Sequence, residues 1–270
     1  MIREFRIPVP GMKRITVCHA GDFHLNCADE LSSDDEKKRA EEAAAEWDMI
    51  RRDFAVSAGE PFGKEQELPP EEHFLRALAA ARECGDALIL TGDVFDSVTP
   101  ANLRFFDRAA EGAGVPVLTV CGNHEDRDSI PPGRSFSPAR EPVQILRLGG
   151  LTVAGIDDSR REITAEQLAA LEKLLAGEDR IILAMHVPVL TDGARESGKI
   201  PDEYFFLNYG GCPAENLELI RLIRDNAPKF AAVLTGHTHT AMESEIAPGV
   251  TQYTVSQGIA GNVNRYVIGE

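Results

Sequence analysis

Short apolar runs alternate along the chain with amphipathic stretches, and four of the runs end on a glycine followed by Asp, Asn or His. The first predicted strand is "RITVCHAGD", residues 14–22. An acidic helical stretch follows, opened by Ser33 and Glu36 in the S-x-x-E arrangement of a capping box. Within it Ala43, Trp47, Ile50 and Phe54 recur at helical spacing and form one apolar stripe. Gly59, Pro61 and Gly63 end that helix, and a second runs from about Glu71 to Cys84. The pair reads as a helical insertion, centred on about 29–72, covering one edge of the domain. Beyond it strand and helix alternate: "DALILTGD", "ANLRFFDRAAEGAG", "VPVLTVCGN", then a hairpin of "PVQILRL" and "LTVAGID" around Gly149 and Gly150. A helix capped by Thr164 and Gln167, the strand "RIILAMH", a helix over 214–225 and the strand "FAAVLTGH" complete the alternation. Residues 241–268 read as a meander of three short strands. Such an order predicts an α/β sandwich with a mixed sheet. Without repeats or linkers, one domain over 1–270 is expected.

Composition narrows the function. The net charge is −16, and residues 29–72 hold fifteen Asp and Glu against six Lys and Arg. Duplex DNA is held mainly by phosphate neutralisation, so this balance makes nucleic acid an unexpected partner. A metal centre would add local positive charge that such a count misses. The five cysteines form no CxxC pair; Cys18, Cys84 and Cys121 fit small buried apolar positions. No signal-peptide pattern opens the chain, and the run "IILAMHVPVL" is too short to span a bilayer. A cytoplasmic protein without a membrane segment is expected, its oligomeric state left open.

The chemistry lies where the strands end. Asp22 and His24, Asp93 and Asp96, Asn123 and His124, His186, and His237 and His239 each follow an apolar run. If the strand persists, Asp22 and His24 share a face, as do His237 and His239. Glycines at 21, 92, 122 and 236 let the backbone leave its strand sharply. Each group alone has an ordinary explanation: a turn, a helix cap, a buried core histidine. Together they offer carboxylate, imidazole and amide donors, which suit Mn, Fe or Zn better than a thiolate-selected metal.

These blocks, D-x-H, G-D-x-x-D, G-N-H-E, H and G-H-x-H in this order over residues 21–239, resemble those of the calcineurin-like metallophosphoesterase superfamily. The resemblance implies a four-layer α-β-β-α sandwich of two mixed sheets and a centre of two metal ions. By it Asp22, His24, Asp93 and His239 hold the first metal. Asp93, Asn123, His186 and His237 hold the second. A hydroxide between the metals attacks phosphorus, while His124, oriented by Asp96, serves the leaving oxygen. The expected activity is hydrolysis of a small phosphomonoester or phosphodiester. Asp96 stands where purple acid phosphatases have a Tyr ligand, so no charge-transfer colour is expected. Ser97 follows Asp96 where the protein Ser/Thr phosphatases have an arginine, which separates the chain from that branch.

Two other functions fit parts of the pattern. The stretches "LILTGDVFDSVTPAN" and "VPVLTVCGNHED" also resemble the superfamily's DNA exonucleases, a reading the acidic balance disfavours. A non-catalytic scaffold would keep the fold but tends to lose ligands or the acid His, and here none is lost. The stretch 191–213 is long for a loop and is expected to act as a lid, with Tyr204 and Tyr209 facing substrate and Arg160 joining them. Asp157 to Arg161 otherwise read as a solvated loop, His73 as a surface residue, and His19 as a buried or supporting group.

Overall fold

The computed structural model describes residues 1–125, 127–136, 141–200 and 202–270. Its elements are β1 (Ile2–Ile7), β2 (Ile15–Ala20), α1 (Asp34–Ala58), α2 (Pro70–Cys84), β3 (Ala87–Thr91), α3 (Pro100–Glu111) and β4 (Val117–Val120). Then come β5 (Gln144–Leu148), β6 (Leu151–Gly155), α4 (Ala165–Leu175), β7 (Arg180–Ala184), α5 (Asp192–Ser197) and α6 (Ala214–Asp225). Last are β8 (Phe230–Thr235), β9 (Met242–Ala247), β10 (Val250–Thr254) and β11 (Val263–Ile268).

The layers follow from strand periodicity, because successive side chains point to opposite faces. On β3, Leu88 and Leu90 pack with Phe74, Ala77 and Ala81 of α2 and with Leu103 and Phe106 of α3. Ile89, between them, faces inward and meets residues of both sheets. On β7, Ile181 and Leu183 pack against Leu168 and Leu171 of α4 and Leu219 and Ile223 of α6. Ile182 and Ala184 join Ile89 in the inner core. One sheet has the order β1-β11-β2-β3-β4 and the other β5-β6-β7-β8-β10-β9. With parallel and antiparallel pairs in each, the result is an α-β-β-α sandwich of two mixed sheets. Among the described residues no helix is long and apolar enough to cross a membrane.

Three departures from the sequence reading matter. Strand β1 was not anticipated; it pairs in parallel with β11. The tail is not a three-strand meander: β9 and β10 pair with each other, whereas β11 crosses to the first sheet beside β2. The two acidic-segment helices do not share an edge. α2 belongs to the outer layer of the first sheet, while α1 lies over the carboxyl ends of the strands, where the functional residues collect.

Helix α1 starts at the expected box, with Ser33 and Glu36 capping each other. Buried Arg51 anchors it by donating to the carbonyls of Leu68 and Ile259 at 2.8 and 2.9 Å and to that of Glu67 at 3.1 Å. The side-chain amide of Gln257 answers by donating to the Arg51 carbonyl at 2.8 Å. The stretch expected as a long loop contains α5 and a 3-10 turn over Glu203–Phe205.

Candidate metal centre

The parallel strands β2, β3 and β4 of one sheet and β7 and β8 of the other deliver their carboxyl ends to one place. Asp22 and His24 follow β2, Asp93 and Asp96 follow β3, and Asn123 and His124 follow β4; His186 follows β7, and His237 and His239 follow β8. This is the end of an α/β sheet where ligands generally bind.

The side chains do not converge by strand alternation, as the sequence reading supposed. Asp22, His24, Asp93, His237 and His239 all take positive φ, from 47° to 71°. For non-glycine residues that region is uncommon and costs free energy. The loops after β2, β3 and β8 therefore turn through a left-handed residue at a candidate ligand, directing its side chain across the gap between the sheets. Glycine serves chiefly close approach: a Cβ at Gly122 would lie 2.1 Å from Asp93 Oδ1, and one at Gly236 would lie 2.6 Å from Asp22 Oδ2.

Two clusters result, in each of which the donor atoms lie within 4.8 Å of one another: Asp22, His24 and His239, and Asp93, His186 and His237. In the first, the Nε2 atoms of His24 and His239 are 3.0 Å apart and Asp22 Oδ1 is 3.5 Å from His239 Nε2. In the second, His186 Nε2 has Asn123 Oδ1 at 3.1 Å, His237 Nδ1 at 3.1 Å and Asp93 Oδ2 at 3.3 Å around it. His186 Nδ1 is engaged with the Thr91 carbonyl at 2.7 Å. That bond takes the Nδ1 proton and leaves Nε2 aimed into the cluster, the usual arrangement behind a metal-bound imidazole.

Electrostatics agree with a cation site. Burial holds His24 well below the usual imidazole range and takes His237 down to about 2, so both are neutral donors at pH 7. Burial also opposes a charge on His186, but the Asp93 carboxylate outweighs it and raises His186 to about 10. A field that holds a proton there also favours a metal cation at the same nitrogen. Converging imidazoles, two carboxylates and an amide oxygen fit Mn, Fe or Zn.

A third group, His24, Asp96 and His124, adjoins the first cluster. His124 Nδ1 faces Asp96 Oδ1 at 3.1 Å, and the indole N–H of Trp47 donates to the same oxygen at 2.9 Å. Burial disfavours the imidazolium, but the Asp96 carboxylate overrides it and raises His124 to about 9.

Several residues of the site were not legible as such in the sequence. Trp47 stacks on His24, with ring centroids 3.6 Å apart and planes at 18°. The stripe on α1 therefore forms one wall of a cavity of about 400 Å³ that also touches Asp93, Asn123, His124, Phe205, His237 and His239. Glu125 is buried and accepts from the backbone N–H groups of Asp93, Phe95 and Gly122 at 2.8–3.0 Å. Burial raises it to about 8. Asp158, expected in a solvated loop, is fully buried and accepts from the N–H groups of His186 and Val187 at 2.7 and 2.8 Å. Its proximity to His186 in space has no counterpart in their sequence spacing.

The remaining expectations resolve individually. Tyr204 and Tyr209 pack against each other, and the Arg161 guanidinium lies 3.6 Å over the Tyr204 ring. From that stretch it is Phe205 that lines the cavity. Arg160 is exposed, 3.8 Å from Asp128, and lines a separate charged cavity of about 720 Å³ beyond Asn123. His73 is buried rather than on the surface, and burial lowers it to about 4. His19 is buried between the Tyr266 hydroxyl at 3.2 Å and Thr91 Oγ1 at 2.9 Å.

The calcineurin-like phosphoesterase model matches residues 15–241. A dimetal phosphatase from Danio rerio has a similar structure, with TM-score 0.60 and 11% identity over 95% of this chain and 93% of that one. More distant is a 5′-nucleotidase from Candida albicans, with TM-score 0.42 and 14% identity over 91% of this chain and 46% of that one. A hypothetical protein from Thermus thermophilus has TM-score 0.41 and 15% identity over 90% of this chain and 77% of that one. At such identities the likeness is one of fold. No curated protein sequence matches the chain. The family match runs from β2 to the second histidine of the G-H-x-H block, through both sheets and every cluster described above. The chain belongs to the calcineurin-like phosphoesterase family, a family of metallophosphoesterases.

Proposed function

We propose that the protein hydrolyses small phosphoesters at a dinuclear metal centre, with His124 as general acid. The observation that carries this reading is the meeting of two donor clusters and a His–carboxylate pair at one cavity. Asp22, His24, Asp93 and His239 would hold one metal, and Asp93, Asn123, His186 and His237 the other. When bound, the two cations lower the pKa of water and neutralise charge on the attacking and leaving oxygens. The chain's residues do the rest. Asp96 fixes the His124 ring through Nδ1, which leaves Nε2 to give a proton to the departing oxygen. With its pKa raised to about 9 by Asp96, His124 carries that proton at neutral pH. Trp47 holds Asp96 in place from α1. Glu125 and Asp158 fix the loops that present Asp93 and His186.

Residues 1–270 then form one metallophosphoesterase domain. The segment around 29–72 supplies a wall of its active site, and 191–213 supplies the facing rim.

The test is hydrolysis of bis-p-nitrophenyl phosphate and p-nitrophenyl phosphate after metal stripping and reloading with manganese, with Asn123→Ala as control. Turnover that returns with metal and is lost in the variant is the expected outcome. Two metals bound per chain with no turnover of either ester would overturn it.

A further inference from the structure

A second cavity, of about 400 Å³, lies beside the one over the metal clusters and shares Ile50, Phe54 and Phe205 with it. The second is a groove between α1 and the side chains of Ile200 and Phe205, adjoining the first at the shared residues. Ile50, Phe54, Ile200 and Phe205 make its walls, and Asp53 and Lys199, of opposite charge, stand at its edge. The two phenylalanines flank the H-x-H pair: the Phe54 ring centroid is 4.7 Å from that of His239, and that of Phe205 is 5.6 Å from that of His237. Phe205 is 40% exposed, so a large apolar ring faces solvent at the mouth of a polar site. By contrast, the cavity beyond Asn123 is lined by Asp128, Asp157, Glu162 and Glu166 against Arg127 and Arg160. An anionic extension of a substrate would be poorly received there, whereas an uncharged apolar group would gain by leaving water for the groove.

The groove also has a direction. Trp47 lies between His124 and His239, with ring centroids 5.9 and 5.6 Å away. Phe54 lies two helical turns further along α1, about 10 Å away at the helix rise per residue, and borders His239. His124 lines the cavity over the clusters but not the groove, so a group in the groove lies on the His239 side, away from His124.

We infer that this groove is a subsite for the retained organic group of a phosphodiester, an uncharged apolar or aryl substituent clamped between Phe54 and Phe205. The inference rests on the proposed role of His124: the ester oxygen that departs lies beside His124, so the group in the groove belongs to the ester bond that survives. Water oxygen bonds to phosphorus, the P–O bond to the leaving alcohol breaks, and that oxygen takes the proton from His124. The proton lost by the water goes to solvent, His124 is reprotonated, and the product is a monoester bearing the apolar group.

The experiment holds the leaving group constant. Phenyl p-nitrophenyl phosphate and methyl p-nitrophenyl phosphate are compared on the manganese-loaded chain, in wild type, Phe54→Ala and Phe205→Ala. In parallel, binding of phenylphosphonate and methylphosphonate is followed through fluorescence of Trp47, the single tryptophan. The expected result is a phenyl preference of at least about tenfold in kcat/KM and in phosphonate affinity, falling toward parity in both variants. Parity in wild type, with turnover intact, overturns the subsite while leaving the phosphoesterase reading standing. A preference kept by both variants, including a loss shared equally by the two esters, also overturns it. Failure to hydrolyse either ester would remove the phosphoesterase reading and this inference with it.

Discussion

At the scale of single residues, the site depends on carboxylates used for different tasks in similar surroundings. Asp93 sits between the histidines of the two clusters, and burial, which opposes its charge, is outweighed by His186 and His24; its carboxyl stays well below the usual range. Glu125, a few ångströms away, is committed to three backbone N–H groups and is raised to about 8, by burial first and then by the charge on Asp93. Asp96 is the one that bears on proton transfer, because it meets His124 and the Trp47 indole through the same oxygen. Asp96→Asn removes the charge that raises His124 while keeping nearly the same shape. Its effect should depend on the leaving group. Alkyl phosphoesters, whose leaving oxygen needs a proton, should lose about a hundredfold in kcat, whereas p-nitrophenyl esters should lose much less. Equal losses for both would show that Asp96 acts on the metal ligands rather than on His124.

At the scale of elements, the decisive one is α1. Its sequence announces a capped helix with an apolar stripe, and both features are present. What the stripe faces is not written in its period. Helical spacing specifies a face but not the surface it meets, so Trp47 and Phe54 read as ordinary packing residues although they border His24 and His239. The same limit explains the tail. The pattern of Val263–Ile268 announces a strand, but nothing local chooses between the two sheets. By contrast, the meeting of the candidate ligand blocks at one place was legible because their residue types are restricted at each step. Their left-handed backbone was not, since Asp and His, though enriched at positive φ, adopt it in only a minority of cases.

Buried Arg51 is a principal polar anchor of α1, beside the bonds from Gln257 and from Trp47 to Asp96. Arg51 satisfies the carbonyls of Glu67, Leu68 and Ile259, and replacing it leaves three acceptors without a protein donor. At about 1–3 kcal/mol for each unsatisfied buried group, Arg51→Met should release α1 before the sandwich unfolds. Hydrogen exchange would then rise across Asp34–Ala58 while β3 and β7 stay protected. Uniform protection in the variant would mean that the apolar contacts of α1 suffice.

At the scale of the whole molecule, the two sheets must close over the inner core and over buried polar groups held neutral at their seam. His19 of β2 reaches Tyr266 of β11 and Thr91 at the end of β3, so it ties three adjacent strands together. Burial lowers its pKa from 6.5 to about 3. Between those values the unfolded chain takes up a proton that the folded chain refuses. The stability is therefore complete above about pH 6.5 and is lost as pH falls toward 3, by at most about 1.4 kcal/mol per pH unit from this group. His19→Gln keeps a hydrogen-bonding side chain without an ionisable group. Urea unfolding of both proteins across this range should give converging stabilities toward acid, with the wild type falling more steeply. Parallel pH profiles would mean that His19 is protonated equally in both states and that the seam takes up its charge. The acid sensitivity of the fold would then reside in other groups, such as Asp93 and the candidate ligand histidines, and metal loading would shift the latter part.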